Sequence, residues 1–159
     1  MFKNPSFLQS FKHSLDGLWY CIRTQRNFRF HLVAALTVFI VGIMYRLDLN
    51  QFVVLIFTVG FVVICEMINT AIESTVDMNC TEYNKYAKIA KDVSSGAVLF
   101  SAMMAVIVAL LIFLKPGKIY GVIMFVISRP YMWVIVTIYT VIMVLFVRGK
   151  MFLKYIDKE

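Results

Sequence analysis

From Phe7 to Ile22 the apolar residues recur at steps of three and four. Phe7, Leu8, Phe11, Leu15, Leu18, Trp19 and Ile22 form the series, with Lys12, His13, Asp16 and Arg23 between them. That period gives a helix one apolar and one polar stripe, and it predicts an amphipathic surface helix over residues 5–27, within the stretch 1–29. Gly17 inside it allows a bend or a close approach. Further on, the period gives way to continuous apolar runs long enough to cross a bilayer. The first span is predicted at 28–45, followed by a short turn, Arg46-Leu47-Asp48-Leu49-Asn50. The second is predicted at 51–72, with its helix continuing past the membrane through Asp77. Residues 78–86 read as a polar connection with Asn79, Thr81, Glu82 and Asn84. The third span is predicted at 93–114 and starts on small residues (Ser94, Ser95, Gly96, Ala97) that let helices approach closely. Lys115-Pro116-Gly117-Lys118 ends it with helix-stop chemistry. Residues 119–127 are apolar but too short to cross, and Ser128-Arg129-Pro130 interrupts them. A fourth span is therefore expected from Tyr120 or Pro130 to Val147, with Pro130 tolerated in a first helical turn.

Composition agrees. The 159 residues leave room for one domain and are 61% hydrophobic, which excludes a soluble globule with a polar shell. The expected fold is all-α and integral to the membrane: a surface helix, three spans, and a fourth C-terminal span. The N-terminus has no signal-peptide apolar core, so the first hydrophobic segment is expected to be retained. The net charge of +7 does not indicate nucleic acid, because the basic residues flank apolar segments instead of forming one patch. Cys21, Cys65 and Cys80 lack metal-type spacing and cannot all pair, so they read as free thiols. With four spans, one side carries Lys3, Lys12, Arg23, Arg26, Arg29, Lys85, Lys88, Lys91, Arg148, Lys150, Lys154 and Lys158. The other carries Arg46, Lys115 and Lys118, with Arg129 at the border. That bias puts both termini in the cytoplasm.

The candidate chemistry lies at the end of the second span. Glu66, Asn69, Glu73 and Asp77 share one helical stripe directly after the apolar run 52–65. Counting from Gln51, Glu66 lies roughly 22 Å into a core about 30 Å thick. Glu73 lies two turns further, at the boundary. One face thus offers a carboxylate at lipid-hydroxyl depth and two more at the water's edge, with Lys91 and Asp92 level with them. A carboxylate beside a lipid hydroxyl can act as general base. Carboxylates at the edge can hold Mg²⁺, and a lysine there can neutralise phosphate. These are the parts of phosphoryl transfer to a lipid. The bland alternative is that the acids pair with neighbouring helices. A proton or cation pathway is another use of such a stripe.

The blocks E-x-x-N-x-A-I-E-x-x-x-D (Glu66 to Asp77) and Ala90-Lys91-Asp92, continuing through Gly96-Ala97-Val98-Leu99, resemble the prokaryotic diacylglycerol kinase family. The similarity extends upstream through Ser10-Phe11-Lys12, Gly17 and Arg26-Asn27-Phe28-Arg29-Phe30-His31 and covers roughly residues 6–114. Glu-Met-Ile-Asn-Thr and the Arg-Asn…His pattern look like the Gram-positive branch, mainly undecaprenol kinases. The resemblance implies a trimer with three spans per chain and sites shared between protomers, in a bacterial cell membrane. It implies ATP and Mg²⁺ without a glycine-rich phosphate loop, and none is present here. It implies Glu66 as general base on undecaprenol, or on diacylglycerol as the alternative, and Glu73 as metal ligand. It further implies Asp77, Glu82, Tyr83, Lys91 and Asp92 around the nucleotide, with Glu73 beside them, and Asn69 and Ser95 as orienting or substrate residues. This gives a kinase-like membrane domain at 1–115 and an extra helix with a basic tail at 116–159. Two residues depart from the pattern. Gln25 stands where the family has a second metal-binding glutamate, which leaves a non-catalytic membrane relative as a competing reading. Asn84 replaces a loop histidine.

Overall fold

The computed structural model describes residues 6–80 and 82–149. The expected positions Lys3, Thr81, Lys150, Lys154 and Lys158 lie outside the described residues, as does the start of the surface helix at residue 5. Six helices follow one another: α1 Phe7–Thr24, α2 Arg26–Met44, α3 Leu49–Asn79, α4 Lys85–Phe113, α5 Pro116–Ile127 and α6 Pro130–Val147. α2, α3, α4 and α6 are each long and apolar enough to cross a membrane. The protein is therefore multi-pass, with the surface helix ahead of the first span.

Local chemistry sets the boundaries. Ser6 and Gln9 form a capping box that starts α1. α1 ends at Thr24, three residues before the expected limit. Gln25 takes an extended conformation (φ −95°, ψ 111°) and serves as C-cap of α1 and N-cap of α2. Asp48 and Gln51 form a second capping box, which starts α3 at Leu49, ahead of Gln51. The largest departure from expectation is the polar connection. α3 runs on to Asn79 and α4 already begins at Lys85, eight residues before Val93, so 78–86 shrinks to 80–84. Asn84 is the cause: its Oδ1 accepts from Tyr86 N at 2.8 Å and Ala87 N at 3.2 Å. The Lys115-Pro116-Gly117-Lys118 stop is also a restart, since Pro116 occupies the first turn of α5.

α3 and α4 form the long antiparallel pair at the centre, with α2 against α3. At one end of the bundle Tyr45, Leu47, Leu55 and Ile112 form a buried cluster. Tyr45 donates its hydroxyl proton to Phe113 O (3.2 Å), and its ring meets the Phe113 ring edge-on. Gly42 lets this turn close, because a Cβ there would lie 3.2 Å from Leu47 and 3.3 Å from Phe52. α5 lies across that end. Its Ile119 and Val122 pack on the cluster, and Lys118 Nζ donates to Tyr45 O (2.9 Å).

α6 then returns beside α2. Thr37 and Tyr139 share a hydroxyl–hydroxyl hydrogen bond of 2.8 Å, and eight residues away on each helix Arg29 Nε donates to Val147 O. α6 therefore begins at Pro130, and Tyr120 belongs to the separate helix α5. Much of the apolar surface of α3, α4 and α6 faces outward, as a lipid solvent or neighbouring copies require.

Candidate functional site

The acidic stripe of α3 lies at the end opposite the Tyr45 cluster, between α1 and the first turns of α4. Its deepest member is Glu66, only 3% exposed. Thr70 donates its hydroxyl proton to the Glu66 backbone carbonyl at 3.0 Å. The Glu66 carboxylate accepts no hydrogen bond among the described residues. No fully buried side-chain oxygen lacks a partner among the described residues, so the Glu66 oxygens are not completely sealed. α1 supplies the roof: Cys21 is buried at 5% and faces Thr70 and Glu66. Burial pushes the Cys21 thiol pKa up, the Thr70 hydrogen bond opposes this, and the Glu66 charge adds to it.

One turn on, Asn69 is buried and fixed in both directions. Its Oδ1 accepts from Ser94 Oγ of α4 at 2.7 Å, and its Nδ2 donates to Glu73 Oε1 at 3.1 Å. The Ser94 hydroxyl also lies 2.9 Å from Lys91 O. Asn69, expected to orient groups beside Glu66, here orients Glu73. The second Glu73 oxygen accepts no hydrogen bond among the described residues. A half-buried carboxylate aimed by a buried amide, with one oxygen left over, fits a hard divalent cation that takes one or two carboxylates plus phosphate oxygens. Replacing Ser94 by Ala should remove the contact that locks the amide. The expected result is about 1–3 kcal/mol of lost stability, read as a lower unfolding temperature in detergent, together with slower turnover.

The third tier is a cavity of about 350 Å³ at the end of the α3–α4 pair. Asp77, Glu82, Tyr83 and Lys91 line it together, with Asn84 and Lys88. The volume lies in the range of small-ligand clefts. Lys91 donates to Asp77 Oδ1 across the two helices.

Asp92 and Ser95 are exposed and do not line this cavity. Gln25 is half-buried, and its amide donates to Thr24 Oγ1 at 3.3 Å. No described hydrogen bond joins Gln25 to Glu73. Sequence reasoning missed Cys21, Thr70, Ser94 and Lys88. Lys88 carried a usable signal, three residues before Lys91 and so on the same face.

A family model, prokaryotic diacylglycerol kinase, matches residues 12–113 and so takes in all three tiers. The chain belongs to this family. Undecaprenol kinase of Bacillus subtilis is 41% identical over 108 residues, covering 68% of this chain and 88% of that protein. Diacylglycerol kinase of Synechocystis is 41% identical over 113 residues, covering 70% of this chain and 65% of that protein. Diacylglycerol kinase of Escherichia coli K12 is 36% identical over 95 residues, covering 60% of this chain and 78% of that protein. The family match stops at Phe113, so α5 and α6 lie beyond it.

Proposed function

We propose that this chain is an ATP-dependent kinase of membrane lipids that phosphorylates undecaprenol, with diacylglycerol as the alternative acceptor. One observation carries the reading: along α3 a buried carboxylate is followed by one with an oxygen left over and then by an acid- and lysine-lined cavity shared with α4. Family membership and the undecaprenol kinase relative support the acceptor class.

In this reading Glu66 accepts the proton of the lipid hydroxyl as the hydroxyl oxygen bonds to the γ-phosphorus of ATP, while the bond from the γ-phosphorus to the β,γ-bridging oxygen breaks and ADP leaves. Burial of Glu66 under α1 keeps water from competing for the phosphoryl group. Glu73, aimed by Asn69, would hold Mg²⁺. The bound ion would offset charge on the transferring phosphoryl group. Lys88 and Lys91 neutralise the phosphate tail, while Glu82, Tyr83 and Asp77 border the nucleotide. Asp92 and Ser95, exposed in one chain, would act from the rim or towards a neighbouring copy. The outward apolar faces of α3 and α4 suit a homotrimer with shared sites. The charge bias supports both termini in the cytoplasm of a bacterial cell membrane. On this view residues 1–115 form the kinase unit and 116–159 an added helical pair and tail.

The test is phosphate transfer from radiolabelled ATP to each lipid by purified protein in vesicles, with a Glu66→Gln control. Transfer to undecaprenol well above transfer to diacylglycerol supports the reading. Transfer to neither lipid would sink it.

Gln25 favours a second reading, a non-catalytic membrane relative. Gln25→Glu separates the two. For a kinase that lacks one metal ligand, the apparent Mg²⁺ affinity should rise by at least the roughly tenfold that even outer-shell ligand partners command. Silence of both forms towards both lipids would favour the non-catalytic reading.

A further inference from the structure

Arg29 stands on the first turns of α2 and is only 5% exposed. Its guanidinium reaches the ends of two other helices. Nη1 donates to Ile22 O and Arg23 O, both at 2.9 Å, which are carbonyls of the last turn of α1. Nε donates to Val147 O at 3.2 Å, the last residue of α6. Helix ends leave carbonyls without internal partners, and a cation placed there also meets the negative end of the helix dipole. Among the described residues no backbone N–H takes these three carbonyls. Gln25 N takes Cys21 O, and Arg148 N and Gly149 N take Val144 O and Phe146 O. The chain then turns at Gly149 with φ +72°, directly over the guanidinium. A Cβ there would lie 2.9 Å from Arg29 Nη2.

We infer that Arg29 is a positioning residue that latches the end of α6 to the end of α1, so that the C-terminal helix holds α1 closed over Glu66. Cys21 immediately precedes the two α1 carbonyls that Arg29 clamps, and it is the buried residue of α1, which packs against α3. An α1 end released from Arg29 lifts the roof off the carboxylate. The latch explains what a helix outside the kinase family's matched segment does for the site. Its consequence for catalysis rests on Glu66 being the base. The latch itself does not.

The test uses the full chain in lipid vesicles with Cys65→Ala and Cys80→Ala, which leaves Cys21 as its single thiol. The rate of N-ethylmaleimide labelling reports whether α1 is seated. Arg29→Gln removes the hub. Gly149→Val keeps the Arg29 side chain and displaces the end of α6, through a left-handed φ and crowding against the guanidinium. Both are expected to speed Cys21 labelling about tenfold or more, with unchanged helix content by circular dichroism.

In lipid kinase assays both should lower kcat several-fold and leave KM for ATP within twofold, because the nucleotide cavity lies on α3, α4 and their connection. Fast labelling in Arg29→Gln with parental labelling in Gly149→Val would overturn the latch, since Arg29 would then serve α1 alone. Parental labelling in both would also overturn it. A rise in KM for ATP in step with the fall in kcat would overturn the route through Glu66. If the parent chain transfers no phosphate at all, the labelling rates still decide the latch.

Discussion

Replacing Glu66 by Gln is expected to lower phosphate transfer to the lipid by about 10²–10⁴-fold, the range that a positioned general base supplies. The amide has the shape of the carboxylate but cannot take up the hydroxyl proton. The fold should tolerate the change, because Glu66 is 3% exposed and its carboxylate accepts no hydrogen bond among the described residues. An ion in that setting costs solvation energy, so a neutral isostere should leave the unfolding temperature unchanged or slightly raised. The diagnostic outcome is therefore a large kinetic loss without a stability loss, with KM for ATP near the parental value. A fall in rate that tracks a fall in unfolding temperature would assign Glu66 to packing. Glu66→Asp shortens the reach by one methylene and should retain part of the rate.

Glu73→Gln is the second large effect. The substitution keeps an oxygen to accept from Asn69 Nδ2, so the Ser94–Asn69 arrangement survives. The negative charge is lost. Apparent Mg²⁺ affinity should fall by about 10–100-fold or more, and turnover at limiting Mg²⁺ should fall with it. Raising Mg²⁺ should recover part of the activity, whereas no metal concentration should rescue Glu66→Gln. On the proposed reading, in which positions 25 and 73 serve the metal, Gln25 is neutral and Glu73 alone supplies a carboxylate. The double variant Gln25→Glu/Glu73→Gln therefore asks whether these positions share one cation. Partial recovery relative to Glu73→Gln alone is the expected result. No recovery would separate them.

Much of the site was legible because an α-helix converts spacing into geometry without help from the rest of the fold. Glu66, Asn69, Glu73 and Asp77 share a face whatever packs against it, and within the chain Glu66 and Asn69 are buried, Glu73 half-buried and Asp77 exposed. What one helix cannot encode is the partner that reaches in from another. Asn69 lies three residues after Glu66 and four before Glu73, so either contact was open. Ser94, on a different helix, holds the Asn69 carbonyl oxygen and leaves the amide facing Glu73.

Helix limits were misjudged where one polar side chain acts as a cap. Asn84 extends α4 back by two turns and also lines the cavity at the end of the α3–α4 pair. The Arg29 contacts with Val147 connect residues 118 positions apart, and no local period announces them.

α5 was the least legible element, since a mostly apolar helix of 12 residues fits a broken span as well as a surface helix. Its Ile119 and Val122 pack on the Tyr45 cluster, and the chain turns there into α6. The last turn of α6 lies beside the α1–α2 junction, where Arg29 meets Val147 O. A reporter joined directly after Gly149 would therefore sit against Arg29. Reporter fusions meant to read topology would press on the Arg29 contacts, and affinity tags belong on a linker long enough to clear them.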